Sequence, residues 1–266
     1  GRNIRSYSLG NHQRMQPLVL YGHPWNRAAR CLWMLRELAL PHELKQVALL
    51  SSDFDELNPN RKQPYLYDAN AGGAALFESM AINLHLVEEY AGGHSMAPRS
   101  AAERAALRKW TVWAQAELDM LLFEAMFYSD GARSHPLSRP QNYLHYFDRA
   151  KTPERLARIK RELEFPLGVL NSSISDTSLW LVGDRFTAAD LNVASVAMWA
   201  VSVFGFTALS ARCPRVAAWL TACLGRKESP LHHTTRQPIP KTSFSKAGMA
   251  DRMQRGGGVS VGSSML

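Results

Sequence analysis

The residues best suited to chemistry lie at the starts of predicted helices. Glu78 and Ser79 open an apolar helical pattern that runs to about Tyr90, and Asn26 precedes another such pattern. The first N–H groups of a helix have no intrahelical partner and the helix dipole is positive there, so an anion binds favourably. Glu78 and Ser79 therefore mark either an anion site or an ordinary helix cap, and Asn26 is a favoured capping residue type.

Metal and disulfide chemistry find no support in the sequence. Cys31, Cys213 and Cys223 are odd in number and show no C-x-x-C or zinc-type spacing, and the nine histidines form no H-E-x-x-H motif. We therefore expect no metal site and no disulfide framework, which favours a reducing intracellular compartment, the cytoplasm first and an organelle as the alternative. No apolar run approaches the roughly 18 residues of a membrane span, and no apolar core of a secretory signal is present.

The net positive charge of the chain resides in its two ends. Residues 17–225 carry 21 basic and 21 acidic side chains, so the formal net charge of +8 resides in residues 1–16 and 226–266. A basic folded face for nucleic acid is therefore disfavoured. Binding of nucleic acid through the tail is also disfavoured, because Phe244 is its only aromatic residue.

Hydrophobic periodicity predicts an α/β unit followed by helices alone. The predicted elements of the first part are a strand at 17–21, a helix at 27–38, a strand at 44–50, a short turn or helix at 53–57, a hairpin of 65–67 with 74–77, and a helix at 79–90. Helix starts follow at Ser100, Thr152-Pro153, Thr187 and Pro214, marked by caps or by proline in the first turn.

These patterns divide the chain into four parts. Residues 1–16 form a basic N-terminal extension and residues 17–93 an α/β domain. Residues 98–225 form an all-helical domain. Residues 226–266 form a basic tail of low apolar periodicity, which we expect to be flexible or bound to a partner.

Four segments, in order along residues 17–225, resemble the cytosolic glutathione transferases. They are Leu20–Arg30, Asn58–Leu66 (similar to N-P-x-G-K-V-P-x-L in that family), Glu78–Ile82 (E-S-x-A-I) and Trp180–Asp190. The resemblance implies a thioredoxin-like N-terminal domain followed by the all-α C-terminal domain of this family, with a serine- or cysteine-type layout in which Asn26 occupies the catalytic position.

The resemblance also implies which residues hold glutathione. Pro64 would follow a cis peptide bond and expose the backbone of Gln63, which would pair with the cysteinyl part of glutathione. Ser79 would donate to the γ-glutamyl carboxylate, Glu78 would accept from the ammonium, and Lys62 would meet the glycyl carboxylate. We expect binding rather than simple helix capping at Glu78 and Ser79, because Pro64 stands at the matching separation.

Two residues, Asn26 and Tyr21, are candidates for assisting the glutathione sulfur. Asn26 stands where family members carry serine or cysteine. Lowering the pKa of the glutathione thiol by about two units requires roughly 2.7 kcal/mol of thiolate stabilisation, and one N–H bond from Asn26 to the charged sulfur contributes about 1.5–3 kcal/mol. Asparagine therefore does not exclude thiolate chemistry. Asn26 could equally serve only as a helix cap. Tyr21 is the alternative catalytic residue, and Cys31 is interpreted as a buried structural thiol.

The pocket for the second substrate is less clearly marked. In the family it is lined by the first helix of the C-terminal domain. The candidates here are Trp25, Trp110, Trp113, Glu117 and Met120. An aromatic stripe at helical spacing is more often part of a core than of a binding pocket. Residues 129–151 could cover this pocket or contact a partner.

Two functions of different classes follow. The first is a transferase, a homodimer as is usual in the family, that activates the thiol of glutathione for attack on an apolar electrophile and needs no metal. The second is a catalytically silent structural or assembly subunit of a larger complex, of which the family also has examples. Asn26, Arg61 in place of the usual glycine, and the basic ends favour the second function.

Overall fold

The computed structural model describes residues 15–47, 52–128, 152–175 and 177–230. Its elements, in chain order, are β1 (Leu18–Tyr21), α1 (Ala28–Glu37), β2 (His42–Lys45), α2 (Ser52–Leu57), β3 (Tyr65–Asp68), a 3₁₀ turn (Ala69–Ala71), β4 (Ala74–Phe77), α3 (Ser79–Tyr90), α4 (Ala101–Trp113), a π-helical segment (Ala114–Asp119), α5 (Met120–Tyr128), α6 (Pro153–Ser173), α7 (Ala188–Phe204), α8 (Phe206–Arg212) and α9 (Pro214–Leu224). The predicted segment 129–151, most of the N-terminal extension and residues 231–266 lie outside the described residues.

The strands form one four-stranded sheet in the order β2-β1-β3-β4. β1 is parallel to β2 and antiparallel to β3, and β3 and β4 form the predicted hairpin. Leu18 and Leu20 of β1 are fully buried against the helices. This sheet, followed by helices alone in the rest of the described residues, confirms the predicted fold class of an α/β unit followed by helices.

Side-chain caps begin three of the helices where the sequence predicts them. The hydroxyl of Ser100 accepts from the backbone N–H of Glu103 at the start of α4, and that of Thr152 accepts from the N–H of Arg155 at the start of α6. Thr187 and Asp190 form a reciprocal capping box at α7. Each cap satisfies a backbone donor that the helix itself leaves unpaired.

The structure differs from the prediction at one strand and one helix. The strand expected at 44–50 is His42–Lys45, because its ladder with β1 ends where β1 ends, at the pair Tyr21 and Lys45. Helix α8 was not predicted; it begins after Gly205, whose φ of 80° ends α7, and the two helices meet at 109°. No single helix in the described part is long and apolar enough to cross a membrane, although α7 and α8 taken together pass that test of length and composition.

A buried polar chain joins the sheet domain to the helices. The amide of Asn83 in α3 donates to the side-chain oxygen of Asn192 in α7 at 2.8 Å, and Asn192 donates to the hydroxyl of Thr111 in α4 at 2.9 Å. All three residues are buried. Because buried polar groups are costly unless paired, this chain fixes how α3, α4 and α7 pack together.

Candidate functional site

A cleft of about 130 Å³ lies where the sheet domain meets the first helices of the helical region. Its lining residues are Arg27, Asn60, Lys62, Gln63, Pro64, Glu78, Ser79, Gln115, Met120 and Phe123. The cleft therefore brings together the five residues predicted to hold glutathione. Of the residues predicted for the second-substrate pocket, it contains Met120.

The loop before β3 presents an unpaired backbone to the cleft. The Gln63–Pro64 peptide bond is cis, as the resemblance implied. Asn58, which is fully buried, holds the loop by donating to the carbonyl of Lys62 at 2.6 Å. No hydrogen bond joins the backbone of Gln63 to another described residue. Its N–H and C=O groups are therefore available to pair with an extended peptide, as the edge of a sheet does.

The start of α3 forms the second wall. Glu78 is exposed, has a φ of 70° and makes no capping hydrogen bond, so simple helix capping does not explain it. Ser79 is 2% exposed, and its hydroxyl accepts from Nη1 of Arg30 at 3.4 Å. The first N–H groups of α3, the Ser79 hydroxyl and this guanidinium together favour a carboxylate at this point.

Asn26 lies beside the cleft with both ends of its amide engaged. Its oxygen accepts from the backbone N–H of Ala28 at 2.8 Å, which supports the start of α1 as the capping interpretation expected. Its nitrogen donates to the side-chain oxygen of Gln63 at 2.7 Å, and Gln63 in turn donates to the carbonyl of Val47. One N–H of the Asn26 amide is used in this way, and an amide nitrogen carries two.

A buried carboxylate connects α1 to the π-helical segment. Asp119, 3% exposed, accepts from Nε and Nη2 of Arg27 at 2.9 and 2.7 Å and from Nη2 of Arg30 at 3.0 Å. Gln115 also donates to it at 3.2 Å. Burial opposes ionisation of Asp119, but the guanidinium groups of Arg30 and Arg27 outweigh it and hold the pKa of the carboxyl below its usual range.

The helical side of this cluster lies in the π-helical segment, where Gln115 and Asp119 stand four positions apart. π-helical turns are rare and occur frequently at functional sites. Between Ala114 and Asp119 the turn places Gln115 and Asp119 together, facing α1. The residues that follow, Met120 and Phe123, then line the cleft.

Several predicted residues lie outside the cleft. Tyr21 packs with Phe54 and Tyr65, at ring-centroid distances of 6.3 and 5.8 Å. Trp25, 43% exposed, stacks on His23. The remaining three predicted pocket residues take other positions: Trp110 is buried in the core, Trp113 packs edge-on against it, and Glu117 is exposed.

Cys31 is a structural thiol, as expected. It is fully buried in α1, and its Sγ lies 3.5 Å from the carbonyl oxygen of Ser79. Burial raises the pKa of Cys31 to about 12, although Arg30 acts in the opposite direction. A thiol of this kind is not nucleophilic at neutral pH.

The sequence analysis did not identify four of the residues that line the cleft. Arg27, Asn60, Gln115 and Phe123 line the cleft. The available signal was the pair of arginines three residues apart at the start of α1, a spacing that places both on one face of the helix. No group of histidine, cysteine, aspartate or glutamate residues suited to a metal ion occurs in the described residues.

Comparisons with known proteins place these features in a family. The N-terminal domain model of glutathione S-transferases matches residues 16–88, and the C-terminal domain model matches residues 153–222. Glutathione S-transferase 3 of Schizosaccharomyces pombe is 30% identical over 181 residues, which cover 65% of this chain and 70% of that protein. The glutathione S-transferase-like protein tpcF of Aspergillus fumigatus is 29% identical over 187 residues, covering 66% of this chain and 76% of that protein.

Comparison with solved structures finds the same fold in glutathione transferases. The crystal structure of the glutathione transferase URE2P8 of Phanerochaete chrysosporium with oxidized glutathione superposes with a TM-score of 0.68 at 22% identity, over 83% of this chain and 95% of that one. Both domain models match in the predicted order, and the cleft carries the predicted glutathione residues. The chain belongs to the glutathione S-transferase superfamily.

Proposed function

We propose that this protein binds glutathione and activates its thiol for attack on an electrophile with an apolar body. The observation that carries the proposal is the unpaired backbone of Gln63 facing the start of α3 across one cleft. The two walls offer a strand-like backbone and an anion site, which are the groups that a tripeptide with a terminal carboxylate requires.

The charges of the cleft match those of glutathione. Ser79 and the first N–H groups of α3 receive the γ-glutamyl carboxylate, and Glu78 receives the ammonium group next to it. Lys62, which lines the same cleft, receives the glycyl carboxylate. In this arrangement the ammonium and the glycyl carboxylate each meet a group of opposite charge, the γ-glutamyl carboxylate meets hydrogen-bond donors at the positive end of a helix dipole, and the sulfur lies between the walls near Asn26.

In this proposal Asn26 stabilises the thiolate. The amide proton that is not bonded to Gln63 donates to the sulfur, and this charge-assisted bond contributes about 1.5–3 kcal/mol. The nucleophile belongs to glutathione, so catalysis rests on stabilising its thiolate and on holding the electrophile close to it. Tyr21 is the alternative donor, although its ring packs against Phe54 and Tyr65.

A specific observation favours the second candidate, a catalytically silent subunit of a larger assembly. Both ends of the Asn26 amide already serve structural hydrogen bonds, one at the start of α1 and one to Gln63. Arg61, with a φ of 53°, occupies a backbone conformation that favours glycine, the residue usual in the family motif. In this alternative the cleft binds glutathione weakly and the protein acts through its surface.

For either function we propose a homodimer. Val112 of α4 is 63% exposed and Phe77 of β4 is 43% exposed, so both side chains are accessible to a second copy of the chain. Burial against a second copy would remove these side chains from water. Sedimentation velocity at micromolar concentration measures the state directly, and a monomer would contradict this part of the proposal.

Retention on immobilised glutathione and conjugation of 1-chloro-2,4-dinitrobenzene test the two functions together. The variants are Ser79→Ala, Asn26→Ala and Tyr21→Phe, with Ser173→Ala on the exposed end of α6 as the matched serine control. Loss of the Ser79 bond to a carboxylate should lower glutathione affinity about 10- to 100-fold, whereas Ser173→Ala should leave it unchanged.

The outcomes separate the candidates. If the wild type is not retained on glutathione and does not turn over the electrophile, the transferase is refuted. Retention without turnover would support the silent subunit. Turnover that survives in Asn26→Ala but not in Tyr21→Phe would transfer the catalytic role to the tyrosine.

A further inference from the structure

Arg27 presents a fixed cation to the half of the cleft that faces the helices. Its Nε and Nη2 donate to Asp119, and its guanidinium carbon lies 4.2 Å from the ring centroid of Phe123. The side chain is 23% exposed and lines the cleft. Its Nη1 forms no hydrogen bond with any residue that the structure describes. The guanidinium is thus held on one edge and one face, with an edge left for a ligand.

The local charge balance is positive. Among the described residues Asp119 is the one carboxylate bonded to both Arg27 and Arg30, so this cluster carries a net charge of about +1. Arg30 is 3% exposed and uses its donors on Asp119 and Ser79. The excess charge therefore faces the cleft at Arg27, where partial burial weakens screening by solvent.

Apolar surface lies beside this cation. Met120 is 37% exposed, and it lines the cleft together with Phe123. Gln115, held to Asp119, adds a polar amide to the same wall. A ligand with an apolar body and one anionic group fits Met120, Phe123 and Arg27, whereas an entirely apolar ligand would remove water from the Nη1 edge of the guanidinium without giving it an acceptor.

We infer that the electrophile accepted by this protein carries a carboxylate, which Arg27 binds while the apolar body lies against Met120 and Phe123. The inference rests on the proposed transferase function and deepens it. A guanidinium fixed in advance loses little freedom on binding, so the carboxylate both orients the electrophile and adds affinity.

Ethacrynic acid and its methyl ester form a matched pair of probes. In both, the thiolate sulfur of glutathione bonds to the terminal carbon of the activated double bond, the π electrons form an enolate, and a proton from water completes the addition. The two compounds differ in one carboxylate. The quantity measured is the ratio of kcat/KM for the acid to that for the ester, each corrected for the uncatalysed rate.

The variants are Arg27→Gln and Arg27→Lys, and the control is Arg108→Gln, a 61% exposed arginine on α4 outside the cleft. The wild type should prefer the acid, and Arg27→Gln should lower the ratio about 10- to 100-fold. Arg27→Lys, which keeps the charge but lacks the planar fork, should retain an intermediate ratio. Arg108→Gln should match the wild type.

Each other outcome overturns the inference in a distinguishable way. A wild type that uses both probes without preferring the acid refutes the carboxylate site alone, and this result stands even if the Arg27 variants fail to fold. Equal losses for acid and ester in a folded Arg27→Gln protein place Arg27 at the glutathione sulfur instead. A wild type that conjugates 1-chloro-2,4-dinitrobenzene but uses neither probe refutes the carboxylate site and leaves the transferase standing, whereas one that uses none of the three compounds refutes the transferase itself.

Discussion

Replacing Asp119 with asparagine removes the buried charge on which the two arginines of α1 depend. The change keeps the size and shape of the side chain and leaves one carbonyl oxygen as an acceptor. Arg27 is 23% exposed and can turn toward water, but Arg30 is 3% exposed and cannot. The cost therefore falls mainly on Arg30, whose charge stays buried without a counterion.

The expected loss of stability is large for a single substitution. Removing one partner of a buried ion pair costs about 3–5 kcal/mol, and the lower end, about 3 kcal/mol, applies because asparagine keeps one acceptor. For a chain of this size, 1 kcal/mol corresponds to about 2–4 °C in Tm, so we expect a fall of roughly 6–12 °C. Glutathione affinity should fall as well, because Arg30 also donates to Ser79.

Thermal and urea unfolding followed by circular dichroism measure the effect. Asp184→Asn is the control: Asp184 also faces an arginine, Arg99, at 3.6 Å, but it is 84% exposed and should change stability by less than about 0.5 kcal/mol. Arg30→Gln should cost less than Asp119→Asn, since Asp119 then keeps Arg27. The double variant should lose less than the sum of the single changes. A loss below about 1 kcal/mol in Asp119→Asn would refute the reasoning.

The pH dependence gives a second check on the same carboxylate. The folded pKa of Asp119 is held below its ordinary value of 3.8, so its ionised form stabilises the fold above that pH. The stability difference between wild type and Asp119→Asn should be constant from neutral pH down to about 4 and should shrink as the pH falls below 3.8. A difference that grew at low pH would contradict this assignment.

Two further predictions concern the loop before α1 and the linker between the domains. Gly22→Ala should destabilise the protein by about 1–3 kcal/mol in urea unfolding, because the new Cβ would lie 2.5 Å from the Cβ of Ala28 at a φ of 155°; unchanged stability would show that α1 can shift. Glu103→Gln should lower the free energy of unfolding by about 1 kcal/mol or less at neutral pH. Hydrogen bonds from Arg185 and the backbone of Arg99 lower the pKa of Glu103 to about 2, so the stability difference between wild type and variant should persist down to pH 4.5 and vanish as the pH approaches 2. A stability difference that is lost near pH 6 would contradict this.

The helices and the glutathione side of the cleft were predictable because their signals are local. Ser100 and Thr187 stand at helix starts with their partners three residues away, and the structure shows the corresponding caps. Lys62 to Pro64 and Glu78 to Ser79 are contiguous motifs, so they can be recognised even where the bounds of the surrounding helices and strands are predicted incorrectly. The structure brings them to one cleft.

The opposite side of the cleft was not predictable because its signal is not local. Trp110, Trp113 and Glu117 were chosen because the resemblance places the second-substrate pocket on this helix, but Trp110 packs in the core and Glu117 is exposed to solvent outside the cleft. The pairing of Arg27 with Asp119 spans 92 positions of sequence. Periodicity within one helix carries no information about such a partner.

Helix α1 is clamped at both ends to the helical region. At its start the arginines bind Asp119, and at its last residue Glu37, 4% exposed, receives two hydrogen bonds from Arg226, whose guanidinium lies 4.1 Å from the ring centroid of Phe186. Residues 226–230, assigned to the tail by the sequence, are thus part of the folded structure.

The two clamps are separated by the length of α1, about 15 Å for ten residues. A single clamp would act as a pivot, whereas two clamps at that separation resist rotation of one domain against the other. The segment between Ala91 and Ser100 therefore cannot serve as a hinge while both clamps hold. If ligand entry requires the cleft to widen, we expect side chains or single segments at its rim to move and the two domains to keep their relative orientation.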